Sequence, residues 1–162
     1  MNKKLDKLLE TFSREFYEEF ARTFPDLMYE YYPGADYIIQ IPAPNKNFGD
    51  IRIAIGYRDI TVLLGVHFHT HFDQNSLDGD TFDGTVRKQV ITDTINFIID
   101  VMSDKVLLRV EKRGNKLLSS SIEYIDEHEG TGYTTIAPLS GLLNKFFSSN
   151  KEIMLNTWNG VY

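Results

Sequence analysis

The alternation of apolar and polar side chains along Ile51–Phe72 limits the possible folds of this chain more than any other feature of its sequence. Successive side chains of a β-strand point to opposite sides of the sheet, so a period of two predicts a strand with one buried face. Two strands are predicted here, Ile51–Ile55 and the long Ile60–Phe72, with a turn at Gly56–Asp59 between them. The apolar face of this segment must meet a hydrophobic core.

Two segments with helical spacing flank these strands. Before them, apolar side chains recur at intervals of three and four residues, which predicts an amphipathic helix that ends near Pro25. After them, a second stripe predicts a helix from about Thr85 to Ser103. The stripes consist of Leu5, Leu8, Leu9, Phe12, Phe16, Phe20 and Phe24 in the first helix and of Val86, Val90, Ile91, Ile95, Ile98 and Met102 in the second.

Shorter elements complete the predicted order of helices and strands. A hairpin is predicted around Gly114-Asn115, because such a pair favours a tight two-residue turn. The remaining predicted elements are strands at Tyr37–Ile41, Val106–Lys112, Lys116–Ile125 and Glu152–Trp158 and a short helix at Leu139–Phe147. The 162 residues suit one α+β domain over residues 1–162. We expect a mainly antiparallel sheet of about five to six strands, with the two long helices packed on one side.

Several classes of site and location are disfavoured by the residues present. The chain has no cysteine, which excludes disulfides, thiolate metal sites and cysteine nucleophiles. It also has no GxSxG elbow, phosphate-binding glycine loop or dinucleotide-binding glycine pattern. The charged N-terminal segment lacks the apolar core of a signal peptide, and no apolar run approaches the length of a membrane span. We therefore expect a cytoplasmic protein.

Three of the four histidines, His67, His69 and His71, stand at every second position. On a straight strand they share one face with Asp73 and point away from the apolar layer, provided that no bulge at Gly65 inverts the register. Residues two apart on a strand are separated by about 6.5–7 Å, so the outer imidazoles stand roughly 13 Å apart. Two of them can chelate one ion, but three cannot.

A small metal-dependent enzyme that uses this row of histidines is therefore the alternative functional hypothesis. Its zinc site would need ligands from other strands to complete a tetrahedron, for example Glu123 or His128. The competing interpretation is a row of strand histidines that faces solvent or a partner and holds no metal.

The acidic residues are unevenly distributed. The chain has 23 acidic and 17 basic residues, and nine of the acids lie in two windows, residues 59–86 and 117–144, that contain no lysine or arginine. These nine are Asp59, Asp73, Asp78, Asp80, Asp83, Glu123, Asp126, Glu127 and Glu129. If the two windows lie together in the fold, they form a negative surface that steers a basic protein towards itself. Such a surface repels phosphate backbones, which disfavours direct binding of nucleic acid. Ordinary solubilising acidity on loops is the other explanation.

Three stretches carry a resemblance to a known family: GDIRIAIGYRDITVLLGVHFHTHF, the acidic loop and helix that end in FIIDVMSDK, and the terminal TWNG. Over roughly residues 49–105 and the last ten, the chain resembles small cytosolic immunity proteins encoded beside polymorphic secreted toxins, particularly in Gram-positive bacteria. The resemblance implies a non-catalytic inhibitor that binds a cognate toxin domain, often a nuclease, and blocks its active site. It supplies no functional residues that carry over to this sequence.

The predicted site is therefore a surface for binding a basic protein. Its residues are His67, His69, His71, Asp73, Asp78, Asp80, Asp83, Asp126, Glu127 and Glu129. Tyr124, Tyr133 and Trp158 are candidate anchors, with a core position as the alternative for each. We expect no catalytic residue, cofactor or bound metal, and no membrane or nucleic-acid partner. An adaptor domain remains a third possibility, and the sequence leaves the oligomeric state open.

Overall fold

The computed structural model describes residues 3–32, 38–73, 82–125, 134–135 and 151–160. Within these ranges the protein has two α-helices and nine β-strands in antiparallel sheets, which confirms the predicted α+β class. In chain order the elements are α1 (Lys3–Thr23), β1 (Glu30–Tyr31), β2 (Ile39–Ile41), β3 (Ile51–Ile55), β4 (Ile60–Leu64), β5 (Phe68–Phe72), α2 (Gly84–Met102), β6 (Val106–Arg113), β7 (Lys116–Tyr124), β8 (Thr134–Thr135) and β9 (Glu152–Asn156). Neither helix is both long and apolar enough to cross a lipid bilayer.

The strands form two sheets. The first has five strands in the order β1-β2-β3-β4-β5, and the second has four in the order β8-β7-β6-β9. The five-stranded sheet and the two long helices agree with the expectation, and the predicted hairpin is present as β6 and β7. That hairpin belongs to the second sheet, a division that the strand pattern alone does not predict. The predicted short helix at Leu139–Phe147 lies outside the described residues.

The chain divides into two compact units, each built from separate segments. The first unit comprises Met1–Pro42, Ile51–Val62 and His71–Ile98, and the second comprises Ala43–Asp50, Leu63–Thr70 and Ile99–Tyr162. One domain over residues 1–162 stays a prediction.

The core of the first unit contains the apolar stripe of α1. Phe12, Phe16 and Phe20 are fully buried, and the ring of Phe12 meets that of Phe82 edge-on at a centroid distance of 5.0 Å. Each such ring contributes about 1.5–3 kcal/mol to folding through burial. Strands β2 and β3 pair antiparallel and add the buried side chains of Ile39, Ile41, Ile51 and Ile53. The helix α2 adds those of Val90, Ile91, Ile95 and Ile98, as its predicted stripe requires.

The core of the second unit lies on one face of the β6–β7 hairpin. Val106, Leu108 and Val110 of β6 are fully buried, and their cross-strand partners include Ile122 of β7. The hairpin turns at Gly114, whose φ of +56° is one that glycine adopts without steric cost. The other buried apolar residues described in this unit are Ala43, Phe48, Leu64, Phe68, Val101, Leu107 and Trp158.

The predicted long strand Ile60–Phe72 is wrong, because the chain turns at Gly65 and forms two strands, β4 and β5. Gly65 has a φ of +57°, and its N–H donates a hydrogen bond to the Asp50 carbonyl at 2.9 Å. A Cβ atom at Gly65 would lie 2.5 Å from the carbonyl oxygen of Phe48. Both the backbone angle and the close approach therefore require glycine here. Val66, which the alternation placed on the buried face, is 81% exposed.

Alanine substitutions at Gly65 and Gly114 separate the effect of the left-handed backbone angle from that of the close approach of Phe48. Gly114→Ala is expected to lower the free energy of unfolding by about 1–2 kcal/mol, since the left-handed angle is strained and no atom lies within 4 Å of the new Cβ. For Gly65→Ala we expect about 3 kcal/mol or more, because the overlap with Phe48 adds to the same strain. Urea denaturation measures both losses. Equal losses at the two positions would contradict the close backbone approach.

The TWNG segment near the chain end is attached to the end of α2. Asp104 follows the helix with a φ of +58°, and the N–H groups of Asp104 and Lys105 donate to the carbonyls of Val101 and Asp100 in a Schellman arrangement. The Asp104 carboxylate accepts hydrogen bonds at 2.9 Å from both the backbone and the side-chain nitrogen of Asn159. These bonds offset the left-handed strain of a residue that is not glycine.

The same contacts predict how stability depends on pH. Burial by itself would raise the pKa of the Asp104 carboxyl, but hydrogen bonds from Asn159, Thr157 and Trp158 lower it below the ordinary value of 3.8. Because the folded-state pKa is lowered, the stabilisation is complete above about pH 5 and is lost below the ordinary value of 3.8, as the pH falls through the lowered pKa of the folded state. Asn tolerates the left-handed angle but has one acceptor oxygen, so Asp104→Asn removes the charge and one of the two hydrogen bonds from Asn159. We expect the stability gap between wild type and this variant to shrink from pH 7 to pH 3 in urea titrations. A constant gap would contradict the assignment.

Candidate functional site

Two of the three predicted histidines lie on β5. His69 and His71 are exposed, and they alternate with the buried Phe68 and the half-buried Phe72. The ring of Phe72 packs against Phe97 at a centroid distance of 5.4 Å. The prediction that these imidazoles point away from the apolar layer is therefore confirmed for His69 and His71.

His67 does not belong to the strand, so the prediction of a three-histidine row on one strand is wrong. It lies in the turn that Gly65 begins, where its carbonyl accepts a hydrogen bond from the Ser120 hydroxyl. Burial, and to a smaller degree the positive charge of Lys112, lowers the pKa of the His67 imidazole below its ordinary value of 6.5. The neutral imidazole of His67 is therefore the favoured form at pH 7.

His71 is the centre of a polar cluster in the first unit. Its Nδ1 lies 2.8 Å from the Thr61 hydroxyl oxygen and 3.6 Å from a carboxylate oxygen of Asp59. Both partners address the same ring nitrogen. A hydrolase triad needs the hydroxyl and the carboxylate on opposite nitrogens, whereas these two contacts both orient the ring through Nδ1. We call Asp59, Thr61, His71 and the exposed Asp73 the His71 cluster.

Asp83 is exposed at the start of α2, where its Oδ1 accepts hydrogen bonds from the N–H groups of Thr85 at 2.8 Å and Val86 at 3.0 Å. These are the contacts of a helix N-cap, a position that favours aspartate. The hydrogen bonds that Arg87 donates to Glu15 are the main cause of the raised pKa of Arg87, and the negative charge of Asp83 adds to that shift. Asp83 therefore has a structural role beside its predicted role in binding.

The other predicted residues have separate outcomes. Asp78, Asp80, Asp126, Glu127, Glu129 and Tyr133 lie outside the described residues. Trp158 is 4% exposed and stacks edge-on against Phe48 at 5.7 Å, so it is a core residue of the second unit. Tyr124 is half-buried on β7.

The metal hypothesis has no ligand set in the part of the chain that the structure describes. There, no group of three or more His, Asp or Glu side chains is arranged to hold an ion. Of the additional ligands considered above, Glu123 is exposed on β7 and His128 lies outside the described ranges. The role of the histidines in the alternative hypothesis accordingly has no support from geometry.

A groove of about 460 Å³ lies between α1 and α2 in the first unit. Its lining residues are Glu15, Glu18, Glu19, Arg22, Gly84, Lys88, Ile91 and Thr92. The Glu15 carboxylate binds both Nε and Nη2 of Arg87, at 2.8 and 3.1 Å, and Glu19 forms an ion pair with Arg22. These pairs neutralise two of the three carboxylates. Among the predicted partner-binding residues that the structure describes, none lines this groove.

The sequence interpretation overlooked an exposed aromatic segment after α1. Met28 is 82% exposed, Tyr31 44% and Tyr32 37%. The signal in the sequence is the run Met28–Tyr32 (MYEYY), in which a methionine and three tyrosines surround one glutamate. Exposed tyrosine and methionine side chains are enriched in protein interfaces, so the run is a second candidate for partner contact.

No protein-family model, curated protein or solved structure matches the chain. The possible chemistry of the site therefore follows from its side chains alone. The His71 cluster offers carboxylates, a hydroxyl and an oriented imidazole on an exposed face. Such groups pair with lysine and arginine side chains and accept or donate hydrogen bonds, as the surface of a binding protein does.

Asp83 provides a test that separates its helix cap from its charge. Asp83→Asn keeps an acceptor for the two N–H groups, so we expect a loss of less than about 0.5 kcal/mol in the free energy of unfolding. Asp83→Ala removes the acceptor and is expected to cost about 1 kcal/mol. Urea denaturation of the two variants measures the difference. A larger loss for the asparagine variant would show that charge, and not the cap, accounts for the stabilisation.

Proposed function

We propose that this protein is a non-catalytic immunity factor of the cytoplasm that binds and neutralises a basic toxin domain. The resemblance of residues 49–105 to small immunity proteins motivates the class of partner. Nucleases are the first toxins to test, because they carry basic surfaces that bind phosphate. The acidic side chains of this protein would then imitate the negative charge of the nucleic acid that such a toxin binds.

One observation carries the proposal: residues 59–86 hold five acids and no lysine or arginine, and the acids described there are at the surface. The side chain of Asp59 is 38% exposed, and Asp73 and Asp83 are both exposed. All three belong to the first unit. Asp78, Asp80, Asp126, Glu127 and Glu129 enter the proposal on the sequence alone.

The groups have different parts in binding. Exposed carboxylates accelerate the encounter with a basic partner and make its rate fall with ionic strength, because salt screens the attraction. His69 and His71 supply hydrogen bonds close to these charges. The lifetime of the complex depends instead on a few well-packed anchor residues.

Charge reversal at Asp73 tests the steering. Asp73→Lys is expected to slow association with the toxin domain encoded beside this gene by about tenfold at low salt, with a smaller effect at high salt. Glu10→Lys is the matched control, since Glu10 is also exposed, lies in the first unit and undergoes the same change of charge. Stopped-flow association at several salt concentrations measures both variants, with circular dichroism to verify folding. If both substitutions slowed association equally, the effect would come from net charge alone, and the proposed role of Asp73 in steering would be refuted.

The proposed activity needs its own test. Co-expression of this chain should restore the growth of bacteria that express the neighbouring toxin domain, and the purified pair should form a stable complex in light scattering. Asp83→Asn, which keeps the helix cap, should bind the toxin more weakly than wild type does. Growth inhibition that persists despite full expression of both chains, with no complex formed, would refute the proposed function.

A further inference from the structure

The strand β1 ends one side of the five-stranded sheet and carries an exposed aromatic surface. We call Met28, Glu30, Tyr31 and Tyr32 the tyrosine edge. A monomeric protein exposes single large apolar residues without consequence, but a contiguous group on an edge strand marks a contact surface. This surface lies in the first unit and contains none of the binding residues predicted from the sequence.

One side of the tyrosine edge packs against α1. The ring of Tyr31 stacks on that of Tyr17 in α1, with centroids 4.6 Å apart, and the hydroxyl of Tyr29 donates to the Tyr17 hydroxyl at 3.5 Å. That hydrogen bond is the main reason why the pKa of Tyr29 is raised to about 12. Tyr29 also packs edge-on against Phe20 at 5.2 Å. These contacts hold β1 against α1, so the backbone that carries Glu30 is anchored before a partner binds.

The opposite side of β1 combines an aromatic ring with a carboxylate. Side chains alternate along a strand, so Glu30 and Tyr32 share the side that does not meet Tyr17. The Tyr32 hydroxyl donates a hydrogen bond to Oε2 of Glu30, which holds the carboxylate beside the ring. Oε1 of Glu30 remains an acceptor. The highly exposed Met28 precedes the pair by two residues.

The charge around the tyrosine edge is uniformly negative along the chain. Residues 23–45 contain Asp26, Glu30 and Asp36 and no lysine or arginine. This end of the sheet therefore complements a cation, and the register places the base Arg52 two strands away, in line with Glu30 across Gln40. A planar cation suits it better than a compact one, because guanidinium stacks on an aromatic ring while its N–H groups pair with a carboxylate.

We propose that the tyrosine edge binds an arginine side chain of the basic partner, with the guanidinium stacked on Tyr32 and hydrogen-bonded to Glu30. Met28 covers the aliphatic part of that arginine, since a thioether side chain adapts its shape to a neighbour. The inference rests on the proposed function only in so far as the partner is a basic protein. It gives the protein an anchor in addition to the His71 cluster, which acts through charge.

Short peptides test this without knowledge of the partner. The chain has four methionines, and methyl labelling gives a separate NMR probe for Met28, with the half-buried Met102 and Met154 as internal references. We expect hexa-arginine to shift the Met28 methyl signal selectively, and hexalysine at the same concentration to shift it several-fold less. Glu30→Gln and Tyr32→Leu should each weaken hexa-arginine binding by about threefold to tenfold. Tyr57→Leu is the matched control, because Tyr57 is a similarly exposed tyrosine in the turn before β4, and should leave binding unchanged.

Three outcomes would overturn the inference: no shift at Met28, equal shifts from both peptides, or equal weakening by the Tyr57 control. Glu30→Gln changes no ring packing, so it keeps the test valid if Tyr32→Leu fails to fold. The cognate toxin distinguishes the two proposals. Capture of the toxin that is undiminished in Glu30→Gln would preserve the immunity function and refute the arginine anchor. Selective peptide binding without toxin capture would support the anchor and refute the function.

Discussion

The close approach of two backbone segments at Gly65 decides how the central strands of this protein are arranged. The carbonyl of Phe48 and the Cα of Gly49 occupy the space where a side chain at position 65 would stand, and Gly65 itself adopts a left-handed angle. An alternating segment that would otherwise continue as one strand must therefore turn. This single constraint separates β4 from β5, exposes Val66 and places His67 in the turn.

The turn also determines what the histidines can do. It leaves His69 and His71 on an exposed strand face and holds His67 half-buried, where desolvation favours its neutral form. His71 is then oriented by Thr61 and Asp59 through one ring nitrogen. The resulting groups can pair with a charged partner and exchange hydrogen bonds with it. The proposed immunity function follows from that surface and from the acids around it.

The two surfaces proposed for binding differ in physical character. The His71 cluster offers charge and hydrogen bonds, which govern the rate and the salt dependence of association. The tyrosine edge has aromatic rings, one of them packed on α1, together with a flexible thioether and one carboxylate. Such groups suit an anchor that prolongs a complex. An interface needs both kinds of contact. A protein with only the first would capture basic partners quickly and release them quickly.

Local patterns in the sequence by themselves determined both long helices, β3, the β6–β7 hairpin and the α+β class, because periodicity and turn chemistry act within a few residues. The same local rules placed His69 and His71 on an outward face. Only the tertiary structure decided the break at Gly65, since its cause is Phe48, seventeen positions away and close only after folding. The left-handed Asp104, held by Asn159, and the stacking of Tyr31 on Tyr17 are likewise contacts between distant segments. No pattern within a single segment records which other segment will pack against it.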